Sequence, residues 1–226
     1  MQGYSDKISQ YKATDILFFL IISLSIVAVI LSFLGLGEYL FLSLNAVATK
    51  YTFHTFITSL FIDYFNPLDP FFFFSMIFIF IMLYFTYKLS KFIEMGMGKK
   101  FIVKLYLISG FFSIVFYILL RLALLAYYPI LNNEFADGVG LLWGGIYGLI
   151  TFTIFPSINR ETSAYLTFVR MRMTGKSFLF MIIFIRAFFG LIYGLFYSYL
   201  YFLLYLPELG GILGSYIVYR YRIFTK

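Results

Sequence analysis

The sequence predicts an all-α polytopic membrane protein, a bundle of six transmembrane helices with an interfacial first loop. Three observations carry this. Hydrophobic residues make up 62% of the 226 and charged residues 12%, where a soluble domain has about 45–50% and 25%. The 17 basic and 10 acidic side chains cannot coat a core of that size, and mean hydropathy is +0.94. The apolar residues also fall into segments of spanning length, about 20 residues each, so six spans take about 120 residues and seven or eight would leave almost no loops.

Composition excludes several chemistries. There are no cysteines, which removes disulfides, thiolate metal sites and cysteine nucleophiles together. The one histidine, His54, excludes a histidine-rich metal site, so no metal or cofactor is expected. A net charge of +7 reads here as lysine and arginine facing an anionic cytoplasmic leaflet, not nucleic acid.

Residues 1–14 are polar and lack a signal-peptide pattern; they are expected to form a cytoplasmic segment before a membrane domain over 15–222 and a tail over 223–226. Thr14 or Asp15 is placed to cap the first span, Ile16 to about Gly37. The stretch 38–69 mixes aromatics with Lys50, His54, Asp63 and Asp69, which suits an interfacial loop with short helices. Asp69-Pro70 is a helix start, with Asp as cap and Pro at the first position. The second span runs from Phe71 to about Tyr87 and is followed by a basic loop.

The third span is expected from Phe101 to Tyr128, ended by Pro129. A loop over 130–137 carries Asn132, Asn133, Glu134 and Asp137. The fourth span, Gly138 to Phe155, stops at Pro156, and a basic loop with Arg160, Arg170, Arg172 and Lys176 follows. Phe178 to about Tyr199 is the fifth span. Pro207 opens the sixth, which ends near Tyr219.

Charge gives the orientation. Of the 17 basic residues, only Lys50 falls on the outer side and Arg121 and Arg186 lie inside spans. All the others sit at the N-terminus, in the second and fourth loops or at the C-terminus, which the positive-inside bias makes cytoplasmic. Glu38, Asp63, Asp69, Glu134, Asp137 and Glu208 fall on the opposite side.

Small residues recur at four-residue spacing: Gly140, Gly144 and Gly148; Gly190, Gly194 and Ser198; Gly210 and Gly214, with Gly211 and Ser215. Such faces let helix backbones approach closely. Spans four and six are expected to meet through Gly144, Gly148, Gly210, Gly211 and Gly214, and a side chain at Gly98 in the second loop is expected to matter less.

Four segments in register resemble motifs of the rhomboid superfamily, which includes rhomboid proteases and derlins. Phe92-Ile93-Glu94-Met95-Gly96-Met97-Gly98-Lys99-Lys100-Phe101 is similar to its L-E-x-x-x-G-x-x-x-F signature. Leu105-Tyr106-Leu107-Ile108-Ser109-Gly110 is similar to the start of its third helix. Trp143-Gly144-Gly145-Ile146-Tyr147-Gly148-Leu149 resembles the nucleophile motif G-x-S-G-x-x-x-G-L. Glu208-Leu209-Gly210-Gly211-Ile212-Leu213-Gly214 resembles H-x-x-G-x-x-x-G. The resemblance implies a six-span fold from about Lys50 to Arg222.

The departures imply a pseudoprotease. Trp143 stands where the family has its serine nucleophile and Glu208 where it has the histidine base. Phe78 and Met82 stand where it has its oxyanion-stabilising residues. Peptide hydrolysis needs a hydroxyl, a base and donors at the developing oxyanion, and these residues supply no such set. His54 with Ser59 or Thr58 is the remaining dyad, and it lacks an orienting carboxylate or a glycine-rich donor loop.

Three intramembrane charges stay open: Arg121, Arg186 and Glu208. Glu208 either complements the dipole of the sixth span or pairs with Arg121 across the outer cavity. Arg186 either snorkels or finds a partner, and Trp143 is an interfacial anchor, a plug of the lost site, or both. The expected function is an inactive rhomboid-like protein of the cell membrane, or of the endoplasmic reticulum in a eukaryote. It would bind membrane lipids and transmembrane segments of client proteins, and no nucleic acid. The alternative is a structural subunit of a larger membrane complex. A transporter would show an inverted repeat with paired broken helices, and none is visible.

Overall fold

The computed structural model describes residues 12–36, 39–63, 72–127, 138–166, 169–196 and 200–223. The Asp69-Pro70 cap, Glu38, the loop over 130–137 and most of both terminal segments lie outside them.

Helix α1 (Lys12–Phe33) is followed by two short helices, α2 (Leu44–Lys50) and α3 (Thr55–Thr58). Next come α4 (Phe72–Met97), α5 (Lys99–Tyr127) and α6 (Leu142–Ile154). An antiparallel hairpin, β1 (Glu161–Leu166) and β2 (Val169–Thr174), precedes α7 (Gly175–Phe196), α8 (Leu200–Tyr205) and α9 (Glu208–Arg220). The membrane part is therefore all helical, and the hairpin replaces the expected irregular basic loop. Among the described residues four stretches are long and apolar enough to cross a bilayer: Ala13–Phe33, Lys99–Ala126, Gly175–Phe196 and Tyr201–Arg220. The chain is thus suited to a membrane, and exposed Phe19, Phe85, Phe184 and Leu195 need lipid around them.

Several boundaries move for local reasons. Neither Thr14 nor Asp15 caps α1, because the helix begins at Lys12. The buried Glu94 carboxylate does so from α4, accepting from Ala13 N at 3.2 Å and Thr14 N at 3.0 Å. Thr14 Oγ1 donates to the same carboxylate. Asp15 pairs with Lys91 at 3.1 Å and accepts from Tyr87. The stop is Gly35, at φ +73, ahead of the expected Gly37. Leu36 N reaches Leu31 O at 2.8 Å, a Schellman ending that glycine suits.

The second basic segment is not a loop. Lys88 and Lys91 lie on α4, and Lys99, Lys100 and Lys104 on α5, with Gly98 at φ +91 alone between the helices. Pro207 stands at the cap of α9, as expected, but α8 precedes it, and Tyr201 to Arg220 forms one apolar unit around it.

Helix α6 is the centre. Thirteen residues make it only about 20 Å long, short of the roughly 30 Å hydrocarbon core, and nearly every residue is buried. The first loop completes it from outside. Leu42 and Val139 exchange backbone hydrogen bonds of 3.0 and 2.9 Å, and Leu141 N donates to Ser59 O at 2.7 Å. Tyr106, fully buried on α5, donates its hydroxyl to Leu60 O. Gly140 therefore precedes α6 and lies against the backbone of Ile62 and Asp63, not on a helix face.

Helices α5, α6 and α9 pack most closely. A Cβ on Gly211 would overlap the Gly144 backbone, and one on Gly148 would meet Ser109 and come within 3.3 Å of Gly211 O. Gly210 and Gly214 instead face Phe112, Ser109 and Ile108 of α5. Contrary to the simple pairing of spans four and six, the glycines of α9 are divided between two neighbours. Helix α7 is the outlier: 11% of its most apolar stretch is buried, against 50% for the α8–α9 unit.

Candidate functional site

Trp143 and Tyr147 sit one turn apart on α6, with ring centroids 5.7 Å apart. Pro207 and the opening turn of α9 bring Glu208 to the same level, while α7 supplies Arg186 and α8 supplies Tyr205. Arg186 Nε lies 3.1 Å from Glu208 Oε2, with the carboxylate 3% and the guanidinium 15% exposed. The Arg186 Nε proton points at the Tyr147 hydroxyl at 2.5 Å. The contact with Glu208 is thus ionic and not a hydrogen bond, and Glu208 Oε2 accepts none.

Aromatic faces complete the enclosure. The guanidinium carbon lies 5.2 Å from the Trp143 ring, 5.1 Å from Tyr147 and 5.5 Å from Tyr205. These are cation–π distances, and such contacts strengthen when desolvated. Trp143 Nε1 donates to Asp63 Oδ2 at 2.6 Å, a charge-assisted bond that ties the outer loop to α6. Two carboxylates and one guanidinium thus share a pocket of three rings.

This arrangement settles the sequence alternatives. Glu208 lies in the first turn of α9, where it complements the helix dipole, and it pairs with Arg186 and not with Arg121, which is buried on α5 beside Tyr117. Trp143 is 4% exposed, so it is no headgroup anchor and fills the bundle interior. Met82 is half-buried against the core and Thr86 Oγ1 donates to its carbonyl. Phe78 lies on α4, and its side chain is outside the described residues. His54 is exposed and contacts Tyr39 O through Nε2 at 2.7 Å, while Ser59 is buried. They form no dyad. Among the described residues no group of histidine and carboxylate side chains could hold a metal.

The sequence pattern does not bring Asp63, Tyr147 and Tyr205 into this site: Asp63 reads as an outer-loop acid, Tyr147 as a motif position and Tyr205 as the end of an aromatic cluster from Tyr193 suited to a partner-facing surface. Tyr147 had a weak signal, four residues after Trp143 on one helix face. Asp63 had none, since 80 residues separate it from its indole partner.

The chain matches no protein-family model, no curated protein and no solved structure. The rhomboid resemblance rests on the motif residues alone.

Proposed function

We propose that the chain is a catalytically inactive, rhomboid-like membrane protein that binds transmembrane segments of client proteins. In this reading α4 and α6 join the four longer apolar units as spans. The basic ends of α4, α5, α7 and α9 face the cytoplasm, and both termini lie there too. The observation that carries it is the occupied centre. Where a hydrolase of this family would set a hydroxyl beside a base, Trp143 and the Glu208–Arg186 pair fill the space. No hydroxyl nucleophile contacts Glu208 among the described residues, so the site supports binding or structure and not acyl transfer.

The client surface is assigned to α7 and the exposed face of α4. Phe180, Phe184 and Phe188 form a stacked ladder on α7, with centroids 6.1 and 5.7 Å apart. Ile81, Tyr84 and Phe85 are exposed on α4. A helix held this loosely can part from its neighbour at little cost, and helix association in lipid is itself a matter of fractions to a few kcal/mol.

Photo-crosslinkers placed at Phe184 and at Phe85 in native membranes test this. Adducts with several different membrane proteins are the expected result. Lipid adducts alone would remove the client role. A single stoichiometric adduct that survives purification would favour the structural-subunit reading, to which the same aromatic ladder is suited. Cleavage of a model transmembrane substrate, lost on mutating one hydroxyl, would overturn the inactive assignment.

A further inference from the structure

We propose that a cavity at the ends of α4, α6 and α9 binds the phosphate of an anionic phospholipid, with Arg160, Arg220 and Arg222 as its cationic rim. The cavity has a volume of about 800 Å³, within the range of small-molecule sites. Its polar side carries those arginines and Ser157, and its other wall is Phe92, Phe152 and their neighbours. Among the described residues no carboxylate lines it. A lipid has the same division, a charged head on an apolar body, whereas a free anion would have no use for the aromatic wall. Guanidinium forks match phosphate oxygens in pairs.

Position favours the same occupant. Arg220 and Arg222 lie at the end of α9 and Arg160 in the bend before β1, on the side that the charge bias assigns to the cytoplasm, where basic pockets between helices meet anionic headgroups. The proposal rests on the membrane orientation given above. Arginines at helix C-termini also complement helix dipoles, but that effect asks for neither a cavity nor convergence on one.

Arg222 adds a second observation. Helix α9 ends in a Schellman motif, with Ile223 N on Val218 O at 3.2 Å and Arg222 N on Tyr219 O at 3.3 Å. The residue at its left-handed position is Arg222, at φ +48. Glycine is the usual residue there, and strained positions of this kind gather where a side chain has work to do. A conformation unfavourable for arginine thus occurs at a residue that lines the cavity.

Native mass spectrometry of the detergent-purified protein tests this with phosphatidylglycerol, phosphatidylcholine and inorganic phosphate as separate probes. Wild type should retain phosphatidylglycerol over phosphatidylcholine and give no stable inorganic phosphate adduct. Arg222→Gly should unfold at a temperature no lower than wild type while retaining about fivefold less phosphatidylglycerol. Arg160→Gln with Arg220→Gln should weaken retention further. Equal retention of the two lipids, displacement of lipid by inorganic phosphate, or variants that keep the wild-type adduct would each overturn it. Crosslinks from Phe184 are read separately, so their loss with lipid retention intact fails the client reading alone.

Discussion

A guanidinium enclosed by Trp143, Tyr147 and Tyr205 is costly to bury unless a counter-charge comes with it, and Glu208 provides one at 3.1 Å. Removing one partner of a buried pair strands the other, at a cost of about 3–5 kcal/mol, whereas an apolar replacement of both is often neutral. Arg186→Met and Glu208→Leu should each lower thermal stability in detergent strongly. The double variant should be milder than either, and additive losses would contradict the pairing. Trp143→Phe keeps an aromatic ring, though a smaller one, and deletes the bond to Asp63, worth about 1.5–3 kcal/mol for a charged partner. Asp63→Asn in the same background should then add little. Trp143→Ser with Glu208→His should stay inactive on a model transmembrane substrate. The oxyanion donors would still be missing, and losing one such donor costs about 10²–10³ in rate. Turnover by that variant would show a better preserved site than Phe78 and Met82 imply.

The seam of α6 with α9 is the most restrictive contact between elements. The atoms that a Cβ on Gly211 would strike belong to the Gly144 backbone, which cannot rotate away as a side chain can. Gly211→Ala should therefore already be destabilising, and Gly211→Leu more so, by about 1–3 kcal/mol or beyond. Gly98 is not the neutral control that its loop position suggested. Space around it is open, but its φ of +91 strains any side chain, by about 1–2 kcal/mol on the helical left-handed scale. Gly96, helical with nothing within 4 Å of an added Cβ, is the proper control, and Gly96→Ala should hold or raise the melting temperature. At the other end of the bundle, Glu94 caps α1 from 80 residues away. Glu94→Ala should cost about 0.5–2 kcal/mol and speed hydrogen exchange at the start of α1 before α9 is affected.

At the scale of the whole molecule the loops and the charge distribution test the proposed topology together. The absence of cysteine gives a clean background for single-cysteine labelling. Thr49→Cys on exposed α2 should react with a membrane-impermeant reagent from outside the cell, and Lys176→Cys and Tyr221→Cys only after permeabilisation. Two spans, α7 and the α8–α9 unit, separate these positions, so labelling of Lys176→Cys and Tyr221→Cys from opposite sides would contradict the six-span topology. The same pattern would remove the cytoplasmic placement of the arginine-rimmed cavity.

What the sequence determined by itself was the solvent and the places of the helices. Hydropathy is a sum over neighbours in the chain, so α1, α5, α7 and α9 were legible from composition and segment length, while α8 ahead of Pro207 was not. The four-residue glycine spacing showed in the same way that close backbone approach was needed, but not against which neighbour. Tertiary structure alone decided the partners. Glu208 chose Arg186 over Arg121, Trp143 found Asp63, and Gly210 and Gly214 turned to α5. Glu94, legible as part of a motif, gained its role as the cap of α1 only when α4 and α1 met. Those outcomes depend on how each helix is rotated and how far it slides along its neighbour. Rotation and sliding are set by packing of the whole bundle, and no local pattern of residues records them.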